Sequence, residues 1–130
     1  MKNIFKLAVL ILLTLSITGC NRTLAVHNIE NQAINYTLTT NQVEKAILKS
    51  GVEKGWTMKV RKPGIIDANI LVRGKHKAVV EINYDDKTYS ITYKDSDNLL
   101  YKDGKIHRNY NKWIIYLDQR IQANLIDASS

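Results

Sequence analysis

The chain has 130 residues, a formal net charge of +7 and a single cysteine, Cys20. That length suits one modest domain, and one thiol excludes any disulfide within the chain, so packing alone must hold the fold. The basic balance favours anionic partners.

At the N-terminus Lys2 and Lys6 precede an uncharged apolar run, Leu7 to Ile17, which is the layout of a secretory signal. The run is shorter than the roughly 20 apolar residues that a membrane-spanning helix needs. The tetrad Ile17-Thr18-Gly19-Cys20 resembles the lipobox of bacterial lipoproteins. That resemblance implies a signal peptide over residues 1–19, cleavage after Gly19, diacylglycerol on the Cys20 thiol and acylation of the freed amine with a fatty acid such as palmitate. Asn21, where inner-membrane retention typically places Asp, points to the outer membrane, with the domain facing the periplasm. Removing residues 1–19 takes away Lys2 and Lys6 and no acid, so the charge falls from +7 to +5. Export argues against nucleic acid as the partner. It leaves the membrane itself, an anionic envelope component such as lipopolysaccharide phosphates or cell-wall carboxylates, or an envelope protein.

Residues 20–37 read as a lipidated cysteine and tether, with an edge strand near Ala33 to Leu38 as an optional addition. Residues 38–127 are expected to form a single α+β domain. A helix should start near Thr40 or Asn41, with Glu44 in capping-box spacing from Asn41, and Val43, Ala46, Ile47 and Ser50 on its buried face. Gly51 and Gly55 are its candidate stops.

From Trp56 the apolar period changes to 2. Trp56, Met58 and Val60 face inward on a first strand, and Pro63-Gly64 makes a turn. A second strand turns Ile66, Ala68, Ile70 and Val72 inward and ends at Arg73-Gly74. A third does so with Ala78, Val80, Ile82 and Tyr84, and a fourth with Tyr89, Ile91 and Tyr93. Connections this short favour a four-stranded antiparallel meander.

A loop from Asp95 to Lys105 then leads into a second helix. At 100° per residue, Ile106, Tyr110, Trp113, Ile114, Leu117, Ile121 and Leu125 fall on one stripe. That stripe should dock on the sheet, giving one helix before and one after the strands, both packed on one face.

The outer face of such a sheet gathers Lys59, Arg61, Arg73, Lys77 and Lys94, a candidate binding face for anions. A second candidate is the polar cluster of Asp95, Ser96, His107 and Arg108. A small-molecule or hydrolytic site there would use Ser96 as nucleophile, His107 as base and an aspartate as orienter, but no glycine-framed serine elbow accompanies them. A clamp between Asp95 or Asp97 and His107 or Arg108 explains the same residues structurally. His27, His76 and His107 have no paired-ligand spacing, so neither metal nor cofactor is expected. The leading expectation is a non-enzymatic binding or scaffold module.

The sequence also resembles an uncharacterised family of small lipoproteins of Gram-negative bacteria. The resemblance runs from about Thr40 to Ile121 and rests on Gly55-Trp56, Pro63-Gly64, Val72-Arg73, His76, Ala78-Val79-Val80, Tyr89-Ser90-Ile91, Tyr93-Lys94-Asp95-Ser96, Asn98-Leu99, Tyr101, Ile106-His107-Arg108-Asn109-Tyr110-Asn111 and Trp113. It implies the lipoprotein address and a single domain, and it brings no catalytic residue or cofactor. Lys75 departs from the pattern, standing between Gly74 and His76.

Overall fold

The computed structural model describes residues 22–130. The expected signal peptide and the lipidation position Cys20 lie outside the described residues.

The order of elements is β1 (Thr23–Ala25), β2 (Ile29–Ala33), α1 (Thr40–Glu53), β3 (Thr57–Lys62), β4 (Ile65–Val72), β5 (His76–Tyr84), β6 (Thr88–Asp97), β7 (Lys105–His107) and α2 (Arg108–Ser129). The α+β class and the placing of one helix before and one after the meander agree with expectation. The strand count differs: the main antiparallel sheet has five strands in the order β2-β6-β5-β4-β3, and β1 pairs with β7 in a separate two-stranded sheet. Of the three added strands, β1 and β2 come from the segment read as a tether and β7 from the junction of the expected loop and second helix. β2 pairs along the otherwise free edge of β6, with Ile29 opposite Ile91 and Ala33 opposite Thr88. Its pairing uses backbone groups that any sequence carries, which is why no apolar period marks it. The strand ends where the optional edge strand was expected to begin, and Ile34 and Leu38 enter the core from irregular chain.

The N-cap of α1 is Thr39, earlier than expected. Its side chain accepts the Gln42 N–H at 3.1 Å, and the Gln42 side chain accepts the Thr39 N–H at 2.9 Å, a reciprocal capping box. Glu44 is thereby free to accept the Tyr84 hydroxyl from the sheet. At the other end Gly55, at φ +85°, lets Trp56 N–H donate back to Gly51 O at 2.8 Å, which closes the helix as the strand begins.

Most of the meander's inward residues are as expected: Ile66, Ala68, Ala78, Val80, Ile82, Tyr89 and Ile91 are all buried, but on the edge strand β3 Met58 is only half-buried and Val60 is exposed, because no further strand flanks them there. They face Val43 and Ile47 of α1 and Ile114, Leu117 and Ile121 of α2 in one core. Both helices lie on that face. Tyr84 and Tyr89 are cross-strand neighbours, and the first donates to Glu44 of α1 while the second donates to Asp118 of α2. Burial, and then these carboxylate partners, push both phenols above their ordinary pKa. Asn124, buried in α2, donates to Ser50 Oγ and Glu53 Oε1, both at 2.9 Å, and so ties the helices together. Ile106, expected on the helical stripe, is buried from β7 instead.

Candidate functional site

The five basic residues expected on one face do not act together. Register places Lys59 opposite Asp67, and Asp67 opposite Glu81. Arg61 pairs with Asp67 and lies 3.0 Å from Glu81, while Lys94 lies 3.3 Å from the same Glu81. A β-bulge opposite Val79 and Val80 then reverses the phase of β6 after Lys94. In consequence Asp95 pairs with Val79 and Asp97 with Lys77, so both acids join the outer face. There Lys59, Arg61, Lys77 and Lys94 share the surface with Asp67, Glu81, Asp95 and Asp97. The hydrogen bond from Arg61 lowers the Asp67 pKa. Burial pushes Glu81 up, but hydrogen bonds from Asn83, Lys94 and Arg61 outweigh it and hold the carboxyl below its ordinary value. The face is a self-neutralised charge lattice.

The polar cluster also separates. Ser96 pairs with Ala78 on the inner side, where its Oγ lies 2.7 Å from the Tyr93 hydroxyl. Asp95 is on the opposite side of the sheet. His107 is the N-cap of α2 and accepts the Asn109 N–H on Nδ1 at 3.1 Å. Nucleophile, base and orienter are therefore not brought into a triad. Among the described residues no ion pair joins His107 or Arg108 to Asp95 or Asp97, so the loop clamp is not made by those groups either.

What the fold does assemble is a cleft of about 350 Å³ at the start of α2. Three segments distant in sequence form its walls. The β4–β5 hairpin supplies Val72, Arg73 and His76; the turn after β6 supplies Asn98 and Leu99; the β7–α2 junction supplies His107, Asn109 and Trp113.

Local chemistry explains how the walls stay in place. Arg73 at φ 56° and Gly74 at φ 66° make the hairpin turn, with Lys75 N–H donating to Val72 O at 3.1 Å. Val72 pairs with His76, so Lys75 is simply the third residue of the loop. Asn98, at φ 57°, reaches across to that loop: its Nδ2 donates to Lys75 O at 2.9 Å, and its own carbonyl accepts from His76 Nδ1 at 2.8 Å. One residue further, Leu99 O accepts the His107 N–H at 2.7 Å. Hairpin, turn and helix start are thus hydrogen-bonded in series.

Those bonds also fix the imidazole tautomers. A carbonyl only accepts, so His76 carries its proton on Nδ1, and its neutral form presents the Nε2 lone pair. His107 uses its Nδ1 lone pair as the cap, so its neutral form presents Nε2–H. The cleft therefore offers one imidazole acceptor and one imidazole donor beside the Arg73 guanidinium, with Trp113 as an apolar wall. No carboxylate lines it, and the positive end of α2 lies at its edge. Neither a thiol nor a carboxylate is present to complete a metal site with the two histidines.

Of the residues singled out in the sequence, Arg73 and His107 lie in the cleft; Lys59, Arg61, Lys77, Lys94, Asp95, Ser96 and Arg108 do not. Val72, His76, Asn98, Leu99, Asn109 and Trp113 were missed as site residues. The signal that could have found them is the interruption of ordinary strand and helix patterning at Arg73-Gly74, Asn98 and His107. Among the described residues no helix is long and apolar enough to cross a membrane. Compared with protein-family models, with curated proteins and with solved structures, the chain has no match.

Proposed function

We propose that this protein is a non-enzymatic envelope module of the lipoprotein type, anchored through lipid on Cys20 in the outer membrane and facing the periplasm, whose cleft at the start of α2 binds an anionic group of an envelope component or protein partner. The observation that carries the binding reading is the contrast in charge pairing. On the sheet's outer face Arg61 and Lys94 already have carboxylate partners, whereas Arg73 stands in a cleft lined by histidines, amides and a tryptophan with no acid. A planar guanidinium beside N–H donors suits a carboxylate or phosphate oxygen pair. The cleft is large enough for a small charged group and too small for a macromolecule, so a larger partner would present such a group to it.

Isothermal titration calorimetry of the full-length protein with a phosphomonoester and with a short dicarboxylate tests the binding reading. Saturable binding that weakens as ionic strength rises is expected. Absence of binding to either probe at low salt would remove it.

A further inference from the structure

The N-terminal segment is stapled to the beginning of α2 by more than its pairing with β7. Arg108 N–H donates to Arg22 O at 2.9 Å. Asn111, one turn along the helix, donates from Nδ2 to Ala25 O and accepts the His27 N–H on Oδ1, each at 3.0 Å. Thr23 is opposite His107. The chain therefore enters the domain at a fixed point beside the first turn of α2, and only two peptide steps separate that point from Cys20. Two extended residues reach at most about 7 Å, well inside the screening length of about 10 Å at ordinary ionic strength. An acylated Cys20 would hold this corner of the domain against the head groups, in place of the long tether expected over residues 20–37.

The corner has the chemistry for that position. Leu24 is 47% exposed and Ile115 is 40% exposed, and between them run Arg108 and Lys112, spaced four apart on one side of α2. Arg22 is exposed alongside. No acidic residue lines the groove these side chains share; Asp118, one turn beyond Ile115 on α2, accepts the Tyr89 hydroxyl from the sheet. An exposed apolar pair framed by cations is the pattern of a surface that seats its apolar groups at the head-group boundary and its charges on lipid phosphates. Successive helical residues are about 100° apart, so Asn109 and Trp113 point roughly a quarter-turn away from Arg108 and Lys112. The cleft consequently opens to the side of this surface and is not covered by it.

We infer that Arg22, Leu24, Arg108, Lys112 and Ile115 form a membrane footprint that recognises anionic phospholipid head groups and fixes the orientation of the domain on the bilayer. The inference rests on lipid anchoring at Cys20, and its test separates the two. Full-length protein is produced in bacteria, purified from membranes and reconstituted into vesicles of phosphatidylcholine with or without phosphatidylglycerol. Mass spectrometry reads the state of Cys20. A nitroxide is attached at Ile115→Cys or, as a distant control, at Lys87→Cys in the β5–β6 turn, and its access to a water-soluble relaxing agent is measured.

With Cys20 acylated, the label at 115 should be shielded on vesicles containing phosphatidylglycerol and the label at 87 should stay accessible. Arg108→Gln and Lys112→Gln should each shift the contact equilibrium about fivefold toward the accessible state. Equal access at 115 and 87 on an acylated protein would overturn the footprint and leave the anchor standing. Equal shielding on neutral vesicles would overturn the recognition of anionic head groups. An unmodified thiol would overturn anchor and footprint together.

Discussion

The outer face of the sheet and the cleft at the start of α2 draw on the same basic composition and end in opposite electrostatic states. On the sheet, Arg61 and Lys94 share Glu81, and the bulge in β6 turns Asp95 and Asp97 toward the same surface. In the cleft Arg73 has two histidines and two asparagines for company. A strand pair sets residues directly opposite each other, so alternating charges neutralise at close range. A turn carries its side chains beyond the ladder, where no cross-strand acid is supplied. A surplus of lysine and arginine thus says that an anion is welcome somewhere, while the pairing decides where.

The sharpest way to break that contrast is Arg73→Gly. Glycine takes the left-handed conformation without the cost of roughly 1 kcal/mol that a side chain meets there. Stability should therefore hold or rise in thermal denaturation, while affinity for a phosphomonoester falls at least about tenfold, near 1.4 kcal/mol. Lys94→Ala, on the neutralised face, should leave that affinity essentially unchanged. A loss at Lys94 comparable to that at Arg73 would mean that the lattice is the anion site after all.

A smaller effect is expected at the cap. His107→Ala removes the acceptor for Asn109 N–H and should cost about 1 kcal/mol, a drop of roughly 4 °C in melting temperature for a domain of this size. His107→Asn keeps a good capping side chain and should restore the melting temperature without restoring the Nε2–H donor in the cleft. If anion binding returned with it, the imidazole would have only a structural role.

The smallest effect belongs to the lattice. Arg61 is exposed, and exposed ion pairs contribute little, so Arg61→Ala should barely move the melting temperature at neutral pH. Asp67 and Glu81 have pKa values below their ordinary ones in the fold. Groups lowered in this way contribute stability above the ordinary carboxylate range and lose it as pH falls through the lowered values. Whatever difference separates Arg61→Ala from the parent at neutral pH should close as pH falls below the lowered values of Asp67 and Glu81. A difference that persisted there would show that Arg61 acts through packing of its stem.

Much of the scaffold was legible because it follows from short-range periodicity. The alternation from Ile66 to Ile91 specified the inward face of the central strands, and the stripe through Tyr110, Ile114, Leu117 and Ile121 specified which side of α2 is buried. Capping was legible in kind and displaced in position, since Thr39, Thr40 and Asn41 are all competent and only the backbone conformation at the first turn selects among them. β2 was not legible, because an edge strand recruited by free backbone groups leaves no apolar signature in its side chains.

The candidate site was the least legible part. Arg73 and His107 could be named one by one, yet nothing local joins them, and the bulge that sends Ser96 inward and Asp95 outward changes facing by a single residue. By itself the sequence determined the class of fold, the apolar faces and the surplus of positive charge, since these depend on residue type and near-neighbour spacing. Only the tertiary structure decided which cations are neutralised and which converge on a cleft, because charge pairing and convergence depend on distances between residues far apart in the chain.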